Sequence, residues 1–246
     1  MTYFLNGITP INQFTKTTKE NYFIDKSELI GKMNELVGTA SQYICITRPR
    51  RFGKTINAMM LASYYSKNAN FKNLFDKLEI SKSLSYLQHL NKHNVIYTTL
   101  NQIPSPNCTY KEFISGYIDD LIGDLQEIFP NVQIKNTSPI YKILAQVYNQ
   151  TGQGFIFIID EWDYIFNNNL FSEGERKKFL EFLRDLLKDK PYVELAYMTG
   201  VLPIAKYSAG SALNMFKEYN ILNDKKYDKY LVLHLTKQRR FVKNRI

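Results

Sequence analysis

Tyr43-Ile-Cys-Ile-Thr-Arg-Pro-Arg-Arg-Phe-Gly-Lys-Thr-Ile-Asn-Ala-Met-Met60 decides how the rest of the chain is read. A strand-like run, Tyr43 to Thr47, passes through a short loop into a helical pattern, and the loop ends Gly53-Lys54-Thr55. The phosphate-binding loop of nucleotide hydrolases has the form G-x-x-x-x-G-K-[ST], and counting back puts Arg48 where its first glycine belongs. Backbone N–H groups that follow a strand and open a helix form a nest for anionic oxygens. In that reading Gly53 permits close backbone approach, Lys54 reaches the β- and γ-phosphates, and Thr55 holds magnesium. Taken alone, the triplet favours a plain strand-to-helix turn with an exposed basic patch.

A second segment changes the balance. Phe155-Ile156-Phe157-Ile158-Ile159 runs into Asp160-Glu161-Trp162-Asp163. At the exit of a buried strand, Asp160 can accept a magnesium-bound water, and Glu161 can polarise the water that attacks a γ-phosphate. A solvated acidic turn is the competing account, and the pairing with the loop at 48–55 disfavours it. A third run, Ala196-Tyr197-Met198-Thr199-Gly200, places a hydroxyl at a strand tip. Thr199 either touches the γ-phosphate or the attacking water, or simply opens a loop.

Working outward, Val95–Leu100 and Val193–Met198 also read as strands, and helical patterns cover roughly 54–66, 109–129, 138–149 and 172–188. Ser138-Pro139 is expected to start the third of these, with a capping hydroxyl and a proline in the first turn. Near-continuous apolar strands alternating with amphipathic helices give an α/β fold, a parallel sheet with helices on both faces. The 246 residues, 44% hydrophobic and 22% charged, suffice for one full core. No apolar run is long enough to span a membrane and the N-terminus lacks a signal-peptide layout, so a cytoplasmic location is expected. Cys45 and Cys108 offer neither a disulfide framework nor a zinc pattern.

The net charge of +9 invites a nucleic-acid partner, but six of those charges fall after Asn223, where eight Lys or Arg face two Asp. The three arginines between Arg48 and Gly53 could contact nucleic acid; beside a phosphate loop they more simply serve nucleotide phosphates or local carboxylates. His89 and His93 are four apart, yet Leu90-Asn91-Lys92 brings no third ligand, so a surface role is expected. Trp162 and Tyr164 could stack on a base, although packing on the next helix is the commoner fate.

The chain resembles the AAA-ATPase-like family of microbial P-loop proteins, whose phosphate loop reads RPRRFGK followed by Ser or Thr. Arg48-Pro49-Arg50-Arg51-Phe52-Gly53-Lys54-Thr55 matches that whole loop, and Tyr22-Phe23-Ile24-Asp25-Lys26-Ser27 is similar to its YFVDKT segment. The Asp160-Glu161 strand end and Met198-Thr199-Gly200-Val201 complete the likeness, which runs from about Pro10 to about Asn223. The resemblance implies a P-loop NTPase of the additional-strand type, with the Thr199 strand between the loop strand and the Asp160 strand. It also implies ATP and Mg2+ as cofactors, residues 48–55 as the nucleotide loop, Thr55 and Asp160 at the metal, and Lys54, Glu161 and Thr199 in catalysis. Many relatives carry a C-terminal PD-(D/E)XK nuclease-like domain; the chain ends before one, so nuclease activity is not expected.

Residues 1–223 thus read as one P-loop domain and 224–246 as a basic tail. Past Asp228 the family continues with a segment like YFGFT, whereas Tyr230 is followed here by Leu-Val-Leu-His-Leu-Thr-Lys-Gln-Arg-Arg. One back-translation with a single T restored after Tyr230 recovers Tyr-Phe-Gly-Phe-Thr, so a truncated or frameshifted terminus is the leading account. Without the lid that this segment begins, weak magnesium-dependent ATP binding with little or no turnover is expected. The alternative is a non-hydrolysing nucleotide- or nucleic-acid-binding remnant of a larger ATPase-nuclease. A small-molecule kinase is a distant third, because adjacent Asp-Glu suits water activation better than transfer to an alcohol. Oligomeric state has no signature in the sequence.

Overall fold

The computed structural model describes residues 2–207, except 68–70, 102, 104, 106 and 136, together with residues 212–220. The expected basic tail, with its frameshift account and the domain boundary at 223, lies outside the described residues. Among the described residues, five strands form one parallel sheet: β1 (Tyr43–Thr47), β2 (Asn94–Thr99), β3 (Phe155–Asp160), β4 (Val193–Gly200) and β5 (Lys217–Tyr219), in the order β2-β3-β4-β1-β5. The strand carrying Thr199 therefore lies between the loop strand and the Asp160 strand, as the additional-strand arrangement requires.

Strand alternation explains why both faces need cover. Phe155, Phe157 and Ile159 point into one core with Ala196 and Met198, while Ile156 and Ile158 point into the other with Leu195 and Tyr197. Helices Tyr110–Ile128, Ile140–Thr151 and Glu173–Leu187 fill the first core through Leu121, Leu125, Ile143, Leu144, Phe179 and Leu183. Helices Thr9–Thr17, Glu28–Asn34 and Lys54–Tyr65 fill the second through Phe14, Leu29, Ile30, Leu61, Tyr64 and Tyr65.

Two helices start on capping boxes. Thr109 Oγ1 accepts from Glu112 N at 3.2 Å, while Glu112 Oε2 accepts from Thr109 N at 2.8 Å. Ser172 and Glu175 do the same at 3.3 and 2.8 Å. The third helix departs from expectation: Pro139, not Ser138, is the N-cap residue, and no side chain caps it. Proline's fixed φ, here −55°, still points the chain into the helix. Gly152 closes it in the left-handed region at φ 67°, its N–H bonded to Tyr148 O at 2.7 Å. Trp162 is fully buried in the first core, edge-on to Phe166 at 5.5 Å. Both cysteines are buried free thiols.

At the opposite end of the sheet from the loop, the two histidines depart from a surface role. His89 Nδ1 and His93 Nε2 lie 3.0 Å apart with the rings stacked, and His93 Nδ1 lies 2.6 Å from Glu194 Oε2. Among the described residues no group of three or more His, Cys, Asp or Glu is placed to hold a metal. Burial holds His89 below the ordinary imidazole range, with His93 reinforcing and Glu194 opposing. The unfolded chain then takes up that proton more readily than the fold does. Stability present above the unfolded value, about pH 6.5, is lost as pH falls through it. Urea midpoints taken on either side of that value are expected to drop on the acid side in the natural chain and to change less in His89→Gln; parallel curves would remove His89 from the account.

Candidate functional site

The C-terminal ends of β1, β3 and β4 converge, with Thr47 in register with Gly200 and Ile159 with Met198. Ligands of open parallel sheets bind at such ends. After Thr47 the chain turns through a loop in which Arg51 (φ 71°) and Gly53 (φ 78°) are left-handed, and helix Lys54–Tyr65 starts directly behind Gly53. None of the backbone N–H groups from Arg50 to Thr55 is bonded to a backbone carbonyl among the described residues. The loop is thus a row of open donors at the positive end of a helix.

Lys54 is 8% exposed, and its Nζ donates to Arg48 O at 2.8 Å and Pro49 O at 2.9 Å. Desolvation lowers its pKa, while Asp160, Asp163 and Glu161 pull the other way. A cavity of about 540 Å³ opens above the loop, within the usual range of small-molecule sites. Arg50, Arg51, Gly53, Lys54, Thr55 and Glu161 line it. Arg48, Pro49 and Phe52 do not. The Arg48 side chain, 1% exposed, turns inward instead and donates from Nη1 to Thr47 O at 2.9 Å and Tyr219 O at 3.0 Å, fastening edge strand β5.

Asp160 and Thr199 are buried beneath the cavity wall, and the Thr199 hydroxyl donates to Asp160 Oδ1. Glu161 N donates to the same oxygen at 3.1 Å. Asp160 Oδ2 takes no part in these bonds. Glu161 itself sits at φ 54°, an uncommon conformation for a side-chain-bearing residue, in which its side chain reaches the cavity.

Asp163, a residue that motif spacing alone did not single out, ties this acidic turn to the end of β4. Its Oδ2 accepts from Val201 N at 3.0 Å and Leu202 N at 2.8 Å, and Trp162 N donates to Thr199 O at 3.0 Å. The signal was the second aspartate of Asp160-Glu161-Trp162-Asp163, three residues after the first. Gly200 allows the two turns to meet: a Cβ there would stand 2.5 Å from Asp163 Oδ1 and 2.6 Å from Trp162 Cδ1. Gly200→Ala is expected to destabilise the fold by about 1–3 kcal/mol through overpacking, read from the shift of a urea curve at constant slope. An unshifted midpoint would show that the two turns can separate freely.

A family model described as "Predicted AAA-ATPase" matches residues 8–209. The chain belongs to that family. It is an ATPase-like P-loop protein, and the match covers nearly the range over which the loop, the Asp160-Glu161 strand end and Thr199 were read. A curated relative from Azotobacter chroococcum mcd 1, described as an uncharacterized protein in the vnfD 5' region, is 24% identical over 216 residues. That stretch covers 81% of this chain and 37% of the relative, so the chain spans little more than a third of that protein's length. Among solved structures, the Aeropyrum pernix ORC2 protein, in ADPNP–ADP complexes, matches with a TM-score of 0.41 and 9% identity, over 82% of this chain and 50% of that one. Among the described residues of this AAA-ATPase family member, no helix is long and apolar enough to cross a membrane.

Proposed function

We propose that the chain binds magnesium-ATP in the cavity above the phosphate loop and hydrolyses it weakly. The observation that carries this reading is the convergence of open loop N–H groups, Lys54 and Glu161 on one cavity of nucleotide-compatible size, with Asp160 and Thr199 directly beneath. The N–H groups of Arg50–Thr55 hold phosphate oxygens. Lys54 exchanges its bonds to the Arg48 and Pro49 carbonyls for phosphate oxygens, and the loss of neighbouring water strengthens that contact. Thr55 Oγ1 and Asp160 fit a hard cation that prefers oxygen ligands, and magnesium bound there would supply charge neutralisation at the phosphates. Glu161 accepts a proton from the attacking water. Thr199 orients the Asp160 carboxylate through the hydroxyl bond already in place.

The second reading, binding without turnover or binding of nucleic acid, draws on the exposed Arg50 and Arg51 beside the loop. Two measurements separate the readings: titration of a fluorescent ATP analogue with and without magnesium, and steady-state phosphate release. Magnesium-dependent binding with release supports hydrolysis; binding without release supports the second reading. Failure of ATP to bind at all would remove the nucleotide assignment.

A further inference from the structure

The outer edge of β2 is only partly covered. Residues 4–6 pair with it antiparallel, Asn6 N donating to Val95 O at 2.7 Å and Tyr97 N to Phe4 O at 3.0 Å. The pairing stops there, because the N–H groups of Tyr3, Phe4 and Leu5 all turn to the Asp124 carboxylate at 2.6–2.8 Å. Strand alternation puts the Tyr97 carbonyl and the Thr99 N–H next on that outward side. Neither has a backbone partner there among the described residues. Exposed edge groups of this kind are templates for a further strand.

Beyond them opens a second cavity, of about 290 Å³, walled by Phe4, Tyr97, Leu100, Phe113 and Tyr117. Thr98, 3% exposed, lines it as well, and its buried hydroxyl has no hydrogen-bond partner among the described residues, which is rare for a buried polar group. Asp120 stands exposed at the rim. It belongs to a helix carrying five acids, Glu112, Asp119, Asp120, Asp124 and Glu127, against the single Lys111.

We propose that this slot receives an extended, basic peptide segment of a partner protein, added as a strand to the edge of β2 beyond residues 4–6. Each feature of the slot matches one feature of such a segment. The Tyr97 carbonyl and Thr99 N–H take its backbone, continuing a pairing the chain itself begins. The aromatic walls take one large side chain, and Asp120 takes a neighbouring cation. The strand that gains the partner is bonded to the acidic strand end, Leu100 N donating to Asp160 O at 3.1 Å.

The test uses the full chain without nucleotide, titrated against dye-labelled Lys-Val-Phe-Val-Lys and read by fluorescence anisotropy. Saturable binding with a dissociation constant below about 1 mM is expected. Gly116→Phe is the blocking variant: Gly116 lies on the helical wall of the slot, and a Cβ there meets nothing within 4 Å, so the ring fills the slot without straining the helix. That variant, the charge-reversed peptide Glu-Val-Phe-Val-Glu, and a peptide methylated at alternate backbone nitrogens are each expected to bind at least about tenfold more weakly. Bound peptide is also expected to slow hydrogen exchange at the Thr99 amide. Absence of saturable binding, or equal binding by Gly116→Phe, overturns the slot. Equal binding of the methylated peptide overturns strand addition.

Discussion

Lys54→Ala is expected to lose ATP binding, with affinity falling by about a hundredfold or more in calorimetry, because a charged donor to the phosphates disappears from a partly desolvated site. The loop itself should survive. Its left-handed turns at Arg51 and Gly53 are backbone features that do not depend on the Lys54 side chain. Circular dichroism and the urea midpoint should therefore stay near those of the natural chain while binding vanishes. Equal ATP affinity in the natural and substituted chains would sink the phosphate-loop assignment.

Glu161→Gln separates binding from chemistry. The substitution keeps side-chain volume, and the backbone that sets its direction is held from both sides, by Glu161 N on Asp160 Oδ1 at 3.1 Å and by Tyr164 N on Glu161 O at 3.0 Å. Only the proton acceptor is lost. Nucleotide affinity should persist while phosphate release falls by roughly two orders of magnitude or more, the usual scale for removal of a general base. Release at the natural rate would assign water activation to another group. A parallel loss of binding would mean that Glu161 positions the nucleotide.

Four of the five strands among the described residues were legible because each carries a short, largely buried apolar run. β3, Phe155–Asp160, is the clearest, buried at every position. β5 was not: Lys217-Glu218-Tyr219 is three residues at the sheet edge, with no hydrophobic run to mark it. It is held by a buried arginine more than 160 residues earlier in the chain, a contact no local pattern encodes. The same limit applies to the site. The spacing of Gly53-Lys54-Thr55 and the acids at Asp160-Glu161 named the residues that the fold brings together. Spacing could not say that Arg48, at the place of a glycine that usually approaches phosphate, would send its side chain away from the cavity. Nor could it say that Asp163 would serve the backbone of Val201 and Leu202.

Arg48 bonds to the loop and to the sheet edge at once. Its carbonyl holds the Lys54 amine, and its guanidinium holds Tyr219 on the far side of β1. A ligand that takes Lys54 away alters the forces on Arg48, and Arg48 cannot move without loading the bond to Tyr219. If a ligand at the loop shifts β5 in this way, reciprocity requires that displacing β5 shift the ligand's affinity by the same free energy. The residue standing where the loop motif has glycine thus joins the loop lysine and the sheet edge through a single side chain and its own carbonyl.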